Sequence, residues 1–425
     1  MASLVKRHLV AQAVDRLSYA PVLMIEGARQ VGKSTLAGAL APENAPVFNL
    51  DDPPILDAAM ADPAGLVASG QGGMLVLDEV QRWPPITLSV KAAVDRDRRP
   101  GRFILTGSAS LLRIRGTQDS MAGRVARLRL FGFSQGEIRG QWDDFAAAVT
   151  HLDSSVLGFR SEVARDDYAE LCATGAYPEA QSLTTRQRSG WFDDYVDAIT
   201  RRDLGELRRQ VEPERALHVL RLLAASQSLE LVKASFASRT QLASSTVTAY
   251  LDLFADVQLY QPIRPWSPNL AKREINKPKV LVIDSGLAMR LAGATAEQFR
   301  SLIQQEAFGQ FLEGFVASEL LRQRGWSAEE FSLYHYRDSA GAEVDLVLEL
   351  ADGRVIGIEV KASTSFGGAQ FKGLVKLRDA LGDRFVAGIV LNTGSSGYRY
   401  ADRLWGLPVS ALWELRSPAW PSSGQ

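Results

Sequence analysis

The sequence predicts an α/β multidomain chain, and three stretches carry that reading. A glycine-rich loop sits between an apolar run and a helical segment at 22–40. An apolar run ends in paired carboxylates at 74–79. Alternating strands with polar residues on one face lie near 343–361. In the first, Gly27 to Thr35 reads GARQVGKST, and Gly27, Gly32, Lys33 and Ser34 fit G-x-x-x-x-G-K-[ST]. Val22 to Ile25 is apolar and follows Pro21, as a short buried strand would, and Leu36 to Leu40 suits a helix. Strand, loop and helix in that order make a P-loop. The backbone of Gly27, Ala28, Arg29, Gln30, Val31, Gly32, Lys33, Ser34 and Thr35 is then the expected phosphate cradle. Lys33 is expected to reach the β- and γ-phosphates and Ser34 to ligate Mg²⁺, so ATP and Mg²⁺ are the expected cofactors.

Length and composition bound the rest. A chain of 425 residues carries a prior of about three domains. Hydrophobic residues make up 46% and charged residues 23%, as in ordinary globular proteins. The net charge of −1 supplies no global field toward nucleic acid or membrane, so any DNA or RNA contact needs a local basic face. The single cysteine, Cys172, excludes an internal disulfide framework, and its neighbours Leu171 and Ala173 offer no activating charge. The N-terminus lacks a secretory pattern, and no stretch approaches the roughly 18 apolar residues of a membrane span. The expectation is a cytoplasmic protein without a membrane partner.

Taken in order, residues 4–18 read as an amphipathic helix. Pro46 to Leu50 reads as a second strand ending in Asp51-Asp52-Pro53, where the carboxylates either face a metal or cap the next helix. Met74-Leu75-Val76-Leu77 suits a central parallel strand buried on both faces. Asp78 at its end is placed to hold Mg²⁺, and Glu79 to orient and polarise an attacking water. Arg102 to Ser108 is a further buried strand. If it lies between the strands of the two preceding motifs, Thr106 or Ser108 stands beside the γ-phosphate, and the sequence does not choose between them. Arg124, at a loop-to-strand junction after Gly123, is the candidate arginine for the γ-phosphate, in cis or from a neighbouring subunit; a surface ion pair is the alternative.

Residues 135–210 read as mostly helical, interrupted by a turn at Gly175-Ala176-Tyr177-Pro178-Glu179. Trp191, Phe192, Tyr195, Val196 and Ile199 recur at helical spacing, as core residues do, and Arg201-Arg202-Asp203 ends that helix. Helical segments at 216–225, 229–237 and 244–257, followed by a strand at 259–263, suggest a winged helix-turn-helix. Its presumed recognition helix from Ser244 carries no lysine or arginine, which weakens a DNA role and leaves protein packing open. Lys277 to Gly286 reads as a strand, with Asp284 capping the next helix.

The C-terminal part predicts a helix over 308–324 containing Glu313, then strands over 334–337, 343–349 and 355–360, with a hairpin turn at Asp352-Gly353-Arg354. Period-2 geometry puts Glu359 and Lys361 on one face, and Asp345 on the adjacent strand can share it. Such a set is able to hold Mg²⁺ and activate water for phosphodiester cleavage, with Glu313 as a further ligand.

Together, GARQVGKST, LVLDE, LTGS, GAYPE, the Arg202-Asp203 segment, the winged-helix pattern and EVDLVLE…GIEVKAS resemble prokaryotic AAA+-type P-loop ATPases that carry a C-terminal domain of unknown function with a PD-(D/E)xK nuclease-like fold. The resemblance covers nearly the whole chain. It implies a parallel P-loop NTPase sheet at 1–135, a helical lid at 136–210, a winged-helix module at 211–295 and a restriction-endonuclease-like α/β domain at 296–425. By this resemblance Asp345, Glu359 and Lys361 match the D…ExK residues and Glu313 the helix glutamate. The expected function is Mg²⁺-dependent ATP hydrolysis, with DNA or RNA as candidate partners of the nuclease-like domain. The alternative is a slow nucleotide-switched module that binds a protein partner and whose nuclease-like domain is inactive. A homo-oligomer is compatible with either.

Overall fold

The structure is a computed structural model that describes residues 5–70, 72–108, 121, 123–207, 211–269, 273, 277–300, 304–338, 341–364 and 367–416. It divides into two compact units, one of residues 1–133 with 255–259, the other of 134–254 with 260–425.

The first unit is built on a five-stranded parallel sheet. The strands are β1 (Val22–Glu26), β2 (Val47–Asn49), β3 (Leu75–Asp78), β4 (Phe103–Gly107) and β5 (Val125–Arg129), in the order β2-β3-β4-β1-β5. β4 therefore lies between β1 and β3, which meets the condition for its end to stand beside the glycine loop. β1, β3 and β4 are buried along their whole lengths, which explains their unbroken apolar runs. Helices α1 (Val10–Tyr19), α2 (Lys33–Leu40), α3 (Pro53–Ala61), α4 (Pro63–Ala68) and α5 (Ile86–Arg96) accompany the sheet. One core joins Val22, Met24, Leu75, Leu77, Val90, Phe103 and Leu105. α1 begins at Val10, later than the apolar pattern suggests, after a turn in which Val10 N–H donates to the Arg7 carbonyl at 3.3 Å, and the Arg7 guanidinium donates to the Phe131 and Gly132 carbonyls at 2.6 and 3.4 Å.

The second unit opens with helices, among them Arg165–Thr174 and Thr185–Ala198. Phe192, Tyr195 and Val196 are core residues, and Trp191 stacks on Tyr195 with ring centroids 5.2 Å apart. Cys172 is buried, and burial raises its thiol pKa. The Gly175 turn is held from a distance. Asp284 caps its own helix by accepting from Leu287 N–H at 2.8 Å and also accepts from Ala176 N–H at 2.7 Å. A Cβ at Gly175 would strike that carboxylate, and φ there is +69°.

Helices Pro213–Ala225, Lys233–Thr240 and Ser244–Asp256 follow. The strands expected over 259–263 and 277–286 are reduced to isolated antiparallel bridges, Tyr260–Val282, Ile263–Lys279 and Glu230–Lys279. Pro262 and Pro278 each remove an N–H that a continuous ladder would need.

The C-terminal sheet has seven strands in the order β11-β12-β10-β9-β8-β7-β6. They are β6 (Arg264–Pro265), β7 (Phe331–Arg337), β8 (Glu343–Leu350), β9 (Val355–Lys361), β10 (Phe385–Asn392), β11 (Tyr398–Ala401) and β12 (Leu404–Pro408). β8 and β9 form the expected hairpin, with Gly353 at φ +82°, and β10 runs parallel to β9. Helix Gln305–Gln323 is apolar on most sides and correspondingly buried. Among the described residues, no helix is long and apolar enough to cross a membrane.

Candidate functional site

The loop after β1 takes its shape from two glycines. Gly27 N–H donates to the Gly107 carbonyl at 3.4 Å, and a Cβ on Gly27 would collide with the Leu130 carbonyl at the end of β5. Gly32 sits at the N-cap of α2 with φ +94°, a left-handed conformation that a side chain disfavours. Gln30 also has positive φ, at 62°, so the backbone turns sharply between Gly27 and Lys33. Lys33 is 4% exposed and folds back over the loop, its Nζ donating to the Ala28 carbonyl at 3.0 Å.

The end of β3 meets this loop. Ser34 Oγ donates to Asp78 Oδ1 at 3.0 Å. The same carboxylate oxygen accepts from Thr106 Oγ1, and Thr106 in turn accepts the Glu79 N–H at 3.1 Å. Thr106 is fully buried and Asp78 is 6% exposed. Glu79 itself adopts φ 56°, ψ 46°, a left-handed conformation costly for a residue with a Cβ. Its carboxylate accepts from Gln81 Nε2. Gln81 also donates to Ser108 Oγ at 3.0 Å and accepts the Ser108 N–H at 3.3 Å. The two hydroxyls that the sequence left open are thus separated: Thr106 braces Asp78 and the Glu79 backbone, while Ser108 braces Gln81 and through it the Glu79 side chain.

The donor set suits a small hard cation. A serine hydroxyl and a carboxylate share one point at the mouth of a phosphate-sized loop, the oxygen chemistry that Mg²⁺ takes alongside nucleotide phosphates. Asp51 is diverted from this role by an ion pair with Arg82 at 2.5 Å. Asp52 occupies the N-cap position of α3, but its side chain makes no cap hydrogen bond.

Arg124 requires a correction. β5 runs parallel to β1 with Val22 opposite Val125 and Glu26 opposite Arg129. Arg124 therefore precedes β5 at the sheet edge away from the loop, more than about 13 Å along the strand at ordinary strand rise. There Val22 N–H donates to its carbonyl at 3.3 Å, and its guanidinium pairs with Asp95 at 2.6 Å. It does not reach the loop of its own chain. The residue at the loop edge is Arg129, which donates to Gln258 Oε1 at 2.8 Å and covers the Phe131 ring at 4.8 Å. Arg127 and Arg129 alternate with apolar residues, which marks a half-exposed strand, but only the direction of β5 shows which arginine lies at the loop. Arg201, in the second unit, pairs with Asp197 one turn back on its own helix.

The C-terminal constellation does assemble. Asp345 Oδ2 accepts the Val360 N–H at 2.9 Å, and Lys361 Nζ lies 2.7 Å from Glu359 Oε1 and 3.7 Å from Asp345 Oδ2. Glu313 comes from helix Gln305–Gln323. A residue that the sequence reading assigned no chemistry completes the cluster: Lys279, whose Nζ lies 2.9 Å from Glu313, 3.1 Å from Glu343 and 3.5 Å from Asp345. Burial, reinforced by the Asp345 charge and opposed by Lys279, pushes the Glu313 carboxyl up to about 8. Burial and Asp345 likewise raise Glu359. Burial would lower Lys279, but Glu313, Asp345 and Glu343 outweigh it and hold the ammonium above its ordinary range. A groove of about 570 Å³ opens beside the cluster, lined by Gln305, Glu306, Gln310, Glu313, Asp345 and Lys361 among others. Among the described residues, no group of three or more His, Cys, Asp or Glu side chains is disposed to hold a metal. The Glu313, Glu343, Asp345 and Glu359 carboxylates face Lys279 and Lys361 rather than one open point, a donor set that does not fit a nuclease metal.

Comparison with known proteins gives three matched segments. Residues 19–139 match a family model described as a AAA domain. Residues 165–298 and 308–412 each match a domain of unknown function, DUF8612 and DUF4143. Uncharacterised proteins of Mycobacterium bovis and Mycobacterium tuberculosis are each 29% identical over 362 residues, covering 85% of this chain and 74% of theirs. Among solved structures, a Walker-type ATPase of Pyrococcus abyssi is 14% identical, covering 68% of this chain and 96% of its own, with a TM-score of 0.42. The DNA clamp loader delta protein of Bacillus subtilis is 13% identical, covering 74% and 98%, with a TM-score of 0.22. The parallel sheet and the glycine loop give the first unit a P-loop NTPase fold, and residues 19–139 are similar to a AAA domain.

Proposed function

We propose that this chain binds and hydrolyses ATP with Mg²⁺ at the edge of the first unit's sheet. The observation that carries the reading is the 3.0 Å hydrogen bond from Ser34 to Asp78 beneath the glycine loop, which joins the two motifs that phosphoryl transfer requires. The loop N–H groups and the N-terminus of α2 bind the phosphates. Lys33 exchanges the Ala28 carbonyl for phosphate oxygens. Ser34 and Asp78 would hold Mg²⁺, which when bound neutralises charge building on those oxygens. Glu79 accepts a proton from the attacking water, with Gln81 and Ser108 fixing its carboxylate and Thr106 its backbone. The test is steady-state hydrolysis by wild-type and Lys33→Ala protein; equal rates would refute the assignment.

A slower, switch-like reading has one observation in its favour. The Gln81 bond to Glu79 occupies one of its two carboxylate oxygens, so release of Gln81 is able to gate turnover. Turnover far below about 1 s⁻¹, the low end for enzymes, would support it. Three helices followed by bridged segments support a winged-helix module at 211–295. The absence of lysine and arginine from Ser244–Asp256 favours a protein over a nucleic-acid partner for that helix. Hydrolysis measured with and without mixed DNA and RNA separates the two, since stimulation would make nucleic acid the partner.

A further inference from the structure

The carboxylates of the C-terminal cluster already share a cation, and the chain supplies it. Lys279 Nζ contacts Glu313, Glu343 and Asp345 at 2.9, 3.1 and 3.5 Å with 4% side-chain exposure. Lys361 takes Glu359 and the other Asp345 oxygen. That oxygen also accepts the Val360 N–H. Each of the four carboxylates thus faces an ammonium, whereas Mg²⁺ or Mn²⁺ needs open oxygens converging at about 2.0–2.2 Å.

Lys279 is not a surface arm that happens to fall there. Its N–H donates to the Ile263 carbonyl at 2.9 Å and its carbonyl accepts the Ile263 N–H at 3.0 Å. Val280 N–H, next along, donates to Leu229 at 2.8 Å. The backbone that presents the ammonium is thereby fixed to two other segments. Lys279 ties these bridged segments to helix Gln305–Gln323 through Glu313, and to β8 through Glu343 and Asp345.

We propose that Lys279 is the resident cation of this site, standing where a nuclease metal would stand. The domain then carries a closed ion-pair centre that cuts no nucleic acid, and a divalent metal enters only when the lysine is removed. The proposal is independent of the ATPase assignment, because the cluster and the glycine loop belong to different units.

The test is Mn²⁺ binding by the full-length chain without nucleotide, followed by water-proton relaxation. An Asp78→Asn background removes the carboxylate of the other metal-competent site. With Lys279 intact, no Mn²⁺ binding that depends on Asp345 is expected. Lys279→Ala should bind Mn²⁺ at least about tenfold more tightly, because a full positive charge has left the cluster. Adding Asp345→Asn should abolish the gain, and Lys279→Arg should not show it. Two results would overturn the proposal: Mn²⁺ binding by the Lys279-intact chain that Asp345→Asn abolishes, or a folded Lys279→Ala protein that binds no better. Should Lys279→Ala fail to fold, metal-dependent DNA or RNA cleavage by wild-type protein still decides. Cleavage lost in Lys361→Ala would overturn the proposal, and its absence with Mg²⁺ and Mn²⁺ would support it.

Discussion

Ser34 and Asp78, far apart in sequence, meet through a single hydrogen bond of 3.0 Å at the C-terminal edge of a parallel sheet. Asp78 also accepts from Thr106, so its orientation is set from two strands and a helix at once. A carboxylate held in this way needs little reorganisation when charge builds up nearby, which is where electrostatic catalysis gains most. Thr106→Val would remove both the bond to Asp78 and the acceptor of the Glu79 N–H. The expected cost is about 1–3 kcal/mol, with most of it appearing in kcat rather than in ATP affinity. A change confined to affinity would contradict the bracing role.

Gln81→Ala separates positioning from gating. As a positioning residue, Gln81 holds Glu79 from one side and Ser108 from the other. Its loss should lower turnover by about tenfold, less than the roughly 10²–10⁴-fold that the general base itself supplies, and leave the Kd for ATP unchanged. Faster turnover in the variant would instead show that the bond restrains Glu79, in favour of the switch reading.

Gly27→Ala should fail for a steric reason. The new methyl meets the Leu130 carbonyl and the Val31 side chain, neither of which yields without moving β5 or the loop. About 1–3 kcal/mol of destabilisation is expected, together with weakened nucleotide binding. Thermal unfolding and a fluorescent-nucleotide titration check the two effects, and a variant with wild-type values for both would show that the loop has room to spare.

Arg124→Ala should leave ATP turnover within about twofold of wild type, since that side chain pairs with Asp95 at the sheet edge away from the loop. A large, concentration-dependent loss would instead assign Arg124 to the site of a neighbouring copy.

These residues also mark how far the sequence could be read. Continuous apolar runs identified β1, β3 and β4, because a strand buried on both faces leaves no alternation to misread. Threonine and serine after the third run were both visible, but only their partners separate their roles. Whether Arg124 serves its own loop depends on which way β5 runs relative to β1, and the surface ion pair that the sequence held as the alternative is the one that forms, with Asp95. Lys279 was missed because its partners, Glu313, Glu343 and Asp345, come from distant segments that only the fold brings together around it.

The second unit should lose stability at both ends of the pH range. Burial pushes the Glu319 carboxyl up to about 7 despite its bond to Arg322, so its contribution is present below its ordinary 4.5 and is lost as pH rises through about 7. Burial and the Lys279 charge lower His335 from 6.5 to about 4, so its contribution is present above 6.5 and is lost as pH falls through about 4. Thermal unfolding between about pH 4 and pH 9 should show both limbs. Glu319→Gln is expected to flatten the alkaline limb and His335→Gln the acidic one. An alkaline limb unchanged by Glu319→Gln would locate the titrating group elsewhere.

Glu79 activates water, in the proposed mechanism, at a loop where Lys33 binds the phosphates. The measurement that tests it most directly is ATP binding and single-turnover hydrolysis, in Mg²⁺, by wild-type, Glu79→Gln and Lys33→Ala proteins side by side. Glu79→Gln should bind ATP as wild type does but hydrolyse it about 10²–10⁴-fold more slowly, while Lys33→Ala should lose binding as well. Hydrolysis by Glu79→Gln at the wild-type rate would contradict it.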